Sequence, residues 1–95
     1  MKQVEPKRSL IQDAVLALRH RLGMTQERFA IALHVELVTV ARWERSRNPT
    51  GISLARLELF AIQSQQPDLA EVFHQAQLVD AANLMIPESG RQAGA

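Results

Sequence analysis

The sequence predicts an all-α chain of five helices, and three observations carry that reading. Apolar residues recur at helical spacing along Leu10, Ile11, Ala14, Val15, Leu18 and Leu22, and Ser9 with Gln12 forms a capping box ahead of them. Gln26 to Arg47 holds two short segments of the same period with one tight break between them, the pattern of two helices sharing one core. Asp68 followed by Glu71 is a second capping signature, and it opens a further apolar face.

Each element follows in order. Residues 1–8 read as a flexible basic arm ending at Pro6, Lys7 and Arg8. Helix 1 opens at Ser9 and stops at Gly23, with Arg19 and Arg21 near its C-terminus, where the helix dipole favours cations. Thr25 caps helix 2, Gln26 to Leu33, and the free amides of its first turn are a place where a phosphate can dock. Phe29, Ala30 and Leu33 share its inner face, and the small Ala30 leaves room for the next helix to close. Val35 marks the corner. Helix 3, Leu37 to Arg45, turns Val40 and Trp43 inward and Val38, Ala41, Arg42 and Arg45 outward, because at 3.6 residues per turn those lie farthest from the buried edge. Trp43 is therefore a core residue rather than a stacking platform.

Asn48-Pro49 and Gly51 punctuate a loop that sets Arg47 beside the end of helix 3. Ser53 is expected to cap helix 4, whose Leu54, Leu57, Phe60 and Ala61 point inward, and Pro67 breaks the chain after the polar run Gln63 to Gln66. Helix 5 then carries Leu69, Val72, Phe73, Ala76 and Val79 on one side, supplying with helices 1 and 4 the apolar faces the central pair needs. Its continuation, Val79, Ala82, Leu84, Met85 and Ile86, is more apolar than a terminal helix requires, which marks residues 79–86 as a partner surface. Residues 87–95 are small and polar and read as a disordered tail, so the expected organisation is an arm at 1–8, a domain at 9–86 and a tail at 87–95.

Gly23-Met24-Thr25-Gln26, Phe29-Ala30, Leu33, the run Thr39 to Arg45, Pro49, Leu54 and Leu57 together resemble the Xre/Cro/lambda-repressor type of helix-turn-helix, over roughly the middle half of the chain. The resemblance implies a lambda-repressor-like DNA-binding domain of five helices with the helix-turn-helix at helices 2 and 3. In that family the second helix of the pair lies in the DNA major groove. Carried over by position, Leu37, Val38 and Arg42 are the base-reading candidates, Thr39, Arg45 and Arg47 stand beside the phosphates, and Gln26 touches the backbone at the start of helix 2. The family commonly dimerises through elements after the helix-turn-helix, which implies a homodimer through helix 5 and residues 79–86.

Three positions depart from the family pattern. His34 stands where the turn usually has glycine, at a positive-φ cost of about 1–2 kcal/mol. Glu36 occupies the usual Ser/Thr cap of the reading helix, where a carboxylate suits the dipole but repels phosphate. Leu37 and Val38 replace polar readers, leaving contact with thymine methyls and making Arg42 the one strong hydrogen-bonding reader.

Composition bounds the function. The 95 residues are 46% apolar and 22% charged, as in an ordinary globular domain, and the absence of cysteine excludes disulfides, thiolate nucleophiles and cysteine-based zinc sites, so a cytoplasmic location is expected. No apolar run approaches the roughly 20 residues needed to span a bilayer. The net charge of +1 hides an asymmetry: residues 1–50 carry nine Lys/Arg against five Asp/Glu, a net +4, and residues 51–95 carry a net −3. Nothing resembles an enzyme. His20, His34 and His74 lack metal-ligand spacing, and the glycines form no phosphate loop, so neither metal nor cofactor is expected. The leading reading is a sequence-specific DNA-binding regulator, a repressor, acting on double-stranded DNA. Its alternatives are the antitoxin of a toxin-antitoxin pair and a helix-turn-helix scaffold that uses Leu37 and Val38 for protein contact.

Overall fold

The computed structural model describes the backbone of residues 8–94 and the side chains of residues 8–82. Of the expected arm only Arg8 falls within it, and the expected tail at 87–95, with residues 83–86 of the expected partner surface, lies outside the described side chains. Five helices and no strand are assigned among the described residues: α1 Leu10–Arg21, α2 Gln26–Leu33, α3 Leu37–Arg45, α4 Ile52–Gln63 and α5 Pro67–Gly94. They fall into two compact units, Met1–Pro49 and Thr50–Ala95.

In the first unit α3 packs on both α1 and α2. The capping box of α1 is complete: the Ser9 hydroxyl accepts from the Gln12 N–H, and the Gln12 side chain accepts from the Ser9 N–H. Ala14, Val15 and Leu18 of α1, Phe29, Ala30 and Leu33 of α2, and Val40 and Trp43 of α3 are all buried. The apolar stripe of α1 starts one turn later than its period suggests. Leu10 is 70% exposed, and the amide of Gln12, held by its cap bonds, is buried in its place.

In the second unit α4 and α5 pack against each other. Leu54, Leu57 and Ala61 are buried from α4 and Leu69, Ala70 and Phe73 from α5, while Phe60 is only half-buried. Two caps differ from the sequence reading. Gly51, not Ser53, precedes α4, at φ 55° and ψ −129°, a conformation open almost only to glycine, and its N–H donates to Asp80 Oδ2 of α5 at 3.0 Å. The Asp80 carboxylate, 29 residues away, thus holds the cap residue's own N–H rather than the first-turn amides that a capping hydroxyl would meet. Pro67 opens α5 instead of only breaking the chain, because its fixed φ suits a first helical turn and its missing N–H has no partner there anyway. Asp68 then lies inside the first turn, where a carboxylate favours the dipole. Val79, expected on the inner face, is 60% exposed.

A β-carbon built on Gly51 meets nothing within 4 Å, so the backbone alone opposes substitution there. Gly51→Ala is expected to lower stability by about 1–3 kcal/mol in urea titration, despite the open space around it.

Candidate nucleic-acid interface

The stretch from α2 to α3 is built by its termini. Thr25 Oγ1 accepts from the Arg28 N–H at 3.1 Å and starts α2. His34 ends it in the left-handed conformation, φ 59° and ψ 44°, and the following turn is closed by Val35 N–H donating to Ala30 O at 3.0 Å. Glu36 sits at the cap of α3 with extended backbone, is exposed and makes no side-chain cap bond. The Thr39 N–H donates instead to Glu36 O at 3.0 Å, and α3 proceeds.

The inner side of α3 is fixed by charge as well as by packing. Glu44 is 7% exposed, and its carboxylate receives Arg19 Nε at 2.7 Å and Arg19 Nη2 at 2.9 Å in a two-pronged pair. Gln26 Nε2 adds a third bond at 3.1 Å, and Arg19 Nη1 reaches on to Met24 O at 3.0 Å. One cluster therefore joins the end of α1, the start of α2 and the last turn of α3. Arg8 Nε donates to Glu44 O at 3.0 Å, and Ser9 Oγ donates to Asn48 Oδ1 at 2.6 Å, which ties the start of α1 to the chain after α3.

Burial is the largest influence on the Glu44 carboxyl and pushes its pKa up. The hydrogen bonds from Arg19 and Gln26, with attraction to Arg19 and His20, outweigh burial and hold the pKa below the ordinary glutamate value. The hydrogen bond to Glu44, opposed by burial and aided by attraction, raises the pKa of Arg19, so both groups stay ionised through the neutral range.

The outer side of α3 is different in kind. Arg42, Arg45 and Arg47 are exposed, and none is held in a side-chain hydrogen bond or ion pair among the described residues. Thr39 and Ala41 are half-buried, and Leu37 and Val38 are 44% and 49% exposed at the leading end of the helix. Six of the candidate residues thus lie on or beside α3. Gln26 lies apart from them, half-buried, with its amide spent on Glu44.

Arg19 and Glu44 were not among the sequence candidates, yet a signal for them exists. Val15, Leu18 and Arg19, and likewise Val40, Trp43 and Glu44, stand at i, i+3 and i+4. Each charge therefore belongs to a buried face, and the two have opposite signs.

Among the described residues no group of His, Asp and Glu is arranged to hold a metal ion, and no helix is long and apolar enough to cross a membrane. No family model matches the chain, and neither does any curated protein or solved structure.

Removing one partner of a buried ion pair leaves the other charge stranded, so Glu44→Ala is expected to cost about 3–5 kcal/mol. Because the folded-state pKa of Glu44 is lowered, its contribution to stability is full above the ordinary glutamate value and fades as pH falls through the lowered one. Stability measured by urea titration against pH should fall on that acid limb in the native protein, and Glu44→Gln should flatten the limb.

Proposed function

We propose that this chain is a sequence-specific DNA-binding transcriptional regulator, a repressor of the Xre/Cro/lambda-repressor type, which inserts α3 in the major groove as the second helix of a helix-turn-helix. The observation that supports this reading most is the asymmetry of α3. Its inner side is anchored by Val40, Trp43 and the Glu44 cluster, while Arg42, Arg45 and the adjacent Arg47 project without internal partners. Unpaired arginines on a rigid element are suited to phosphates and to guanine edges. The +4 charge of residues 1–50 favours the same partner.

Arg42 reads a base, Arg45 and Arg47 hold phosphates, and Thr39 lies close to the backbone. Gln26 acts through Glu44, by steadying the anchored end of α3. A homodimer reads two half-sites about 34 Å apart, with Leu78 and Val79, 52% and 60% exposed, as the described part of its α5 surface. A second reading, a scaffold or antitoxin that binds another protein, is favoured by Ile52, Leu59 and Ile62, which are more than half exposed along α4. Pulldown with a tight protein partner and no DNA binding would support the scaffold, whereas an antitoxin would bind both its operator and a toxin.

Fluorescence anisotropy with duplex DNA tests the primary reading. With about six phosphate contacts in a dimer, affinity is expected to drop roughly a thousandfold between 50 and 200 mM salt, and salt-independent binding contradicts it. Arg42→Ala should relax base preference at one position per half-site, at a cost of about 1–3 kcal/mol, whereas Arg47→Ala should weaken all sequences alike.

A further inference from the structure

The arginines give the outer side of α3 a use, but the outer side of α4 has none. Leu54, Leu57 and Ala61 turn one side of α4 into its unit's core, while Ile52, Ala55, Leu59 and Ile62 stand exposed, the three large ones by 69%, 55% and 53%. These four are not scattered. They are spaced by three residues, then four, then three, the a and d positions of a helix-on-helix seam, and so form one row along the length of α4. Arg56 and Glu58 take the e and g positions, one at each edge of the row and outside it.

A spacing of three, four and three reads the same in both directions, and that symmetry identifies the occupant. In an antiparallel pair of α4 helices, centred level with Leu57, Ile52 meets Ile62 of a second copy and Ala55 meets Leu59 of a second copy. A small side chain then faces a large one in both inner layers, which gives them equal width. A parallel pair would set Ala55 on Ala55 and Leu59 on Leu59, one layer too thin and the next too wide to pack closely. The row is therefore complementary to itself when reversed, and such a contact closes at two copies.

The neighbouring helix extends the same face. Glu58 accepts from Gln77 Nε2 at 2.6 Å and lies 3.3 Å from His74 Nδ1, joining α4 to α5. Ala55 and Ile62 stand one turn to either side of Glu58, and Leu78, 52% exposed, stands one turn after His74.

We propose that the α4 row is the core of a homodimer contact, with α4 of a second copy lying antiparallel on it and Leu78 at its margin. The proposal stands on α4 and its neighbours alone and does not depend on DNA binding. A fully exposed Leu or Ile side chain offers on the order of 100 Å² to a partner, so Ile52, Leu59, Ile62 and Leu78 together supply roughly 200 Å² of apolar surface per copy. A contact of standard size takes about 800 Å² per partner, which places this dimer at the weak end, in the micromolar range.

Sedimentation equilibrium on the intact chain across that range tests it. A monomer–dimer equilibrium is expected, little changed between about 50 and 200 mM salt because the row is apolar. Leu59→Glu should weaken dimerisation at least about a hundredfold by setting a carboxylate into both inner layers, whereas Leu10→Glu, at an exposed apolar position of α1, should leave it unchanged. Circular dichroism checks that each variant folds. The chain has no cysteine, so Ile52→Cys and Ile62→Cys report direction: oxidised as a mixture they should cross-link as unlike chains, and neither should link to itself, its two sulfurs lying about 15 Å apart along the pair. A chain that stays monomeric, a dimer unmoved by Leu59→Glu, or cysteine variants that link each to itself overturns the proposal, and a monomer leaves the row to a different protein. Duplex binding plays no part in these readouts, so the DNA-binding reading and this one fail separately.

Discussion

Glu44 carries a carboxylate into a place from which water is nearly excluded, and the cost of that step is met by Arg19. An ion taken from water into a protein interior is unfavourable by several kcal/mol, recovered only when the partner is well aligned and the remaining lone pairs are used. Here the guanidinium meets the carboxylate through two nitrogens, and Gln26 supplies the third bond. Such a cluster is a poor way to gain stability and a good way to fix geometry, since few arrangements satisfy all its members at once. Its members come from α1, α2 and α3, so the orientation of α3 within its unit is set by a charge pair as well as by the apolar contacts of Val40 and Trp43.

That fixed orientation is what gives the outer side of α3 its meaning. A helix free to roll would present Arg42 and Val38 at no constant angle to a ligand. With Glu44 anchored on one side, the exposed residues that point away from it, Val38, Arg42 and Arg45, keep one bearing. Preorganisation of this kind lets a few side chains discriminate, because the cost of ordering them is met on folding.

Much of this was legible in the sequence, and the exceptions share a cause. The limits of α2 and α3 were readable because their signals are local: Thr25 before an apolar run, His34 at a position needing positive φ, and the period that puts Phe29, Leu33, Val40 and Trp43 together. The exposed face of α3 followed from the same period. The misread features depend on distant partners. Ser53 looked like the cap of α4, but Gly51 takes that place with help from Asp80, 29 residues on. Arg19 does lie in the last turn of α1, where the dipole favours a cation, but only its pairing across 25 residues reveals its further work. Gln26, expected at the DNA backbone, also gives its side-chain amide to Glu44, 18 residues on, a bond that nothing near it in sequence announces. Val79 fell on the apolar side of α5 by period, yet period does not say how far along a helix the covering element extends.

Backbone amide chemical shifts report directly whether the anchored α3 presents its outer face to DNA. Titrating the isotopically labelled chain with a selected duplex, at low salt, should move the amides of residues 36–47 most and leave those of α4 nearly unchanged. Shifts concentrated on Ile52, Leu59 and Ile62, with residues 36–47 unmoved, would contradict the account.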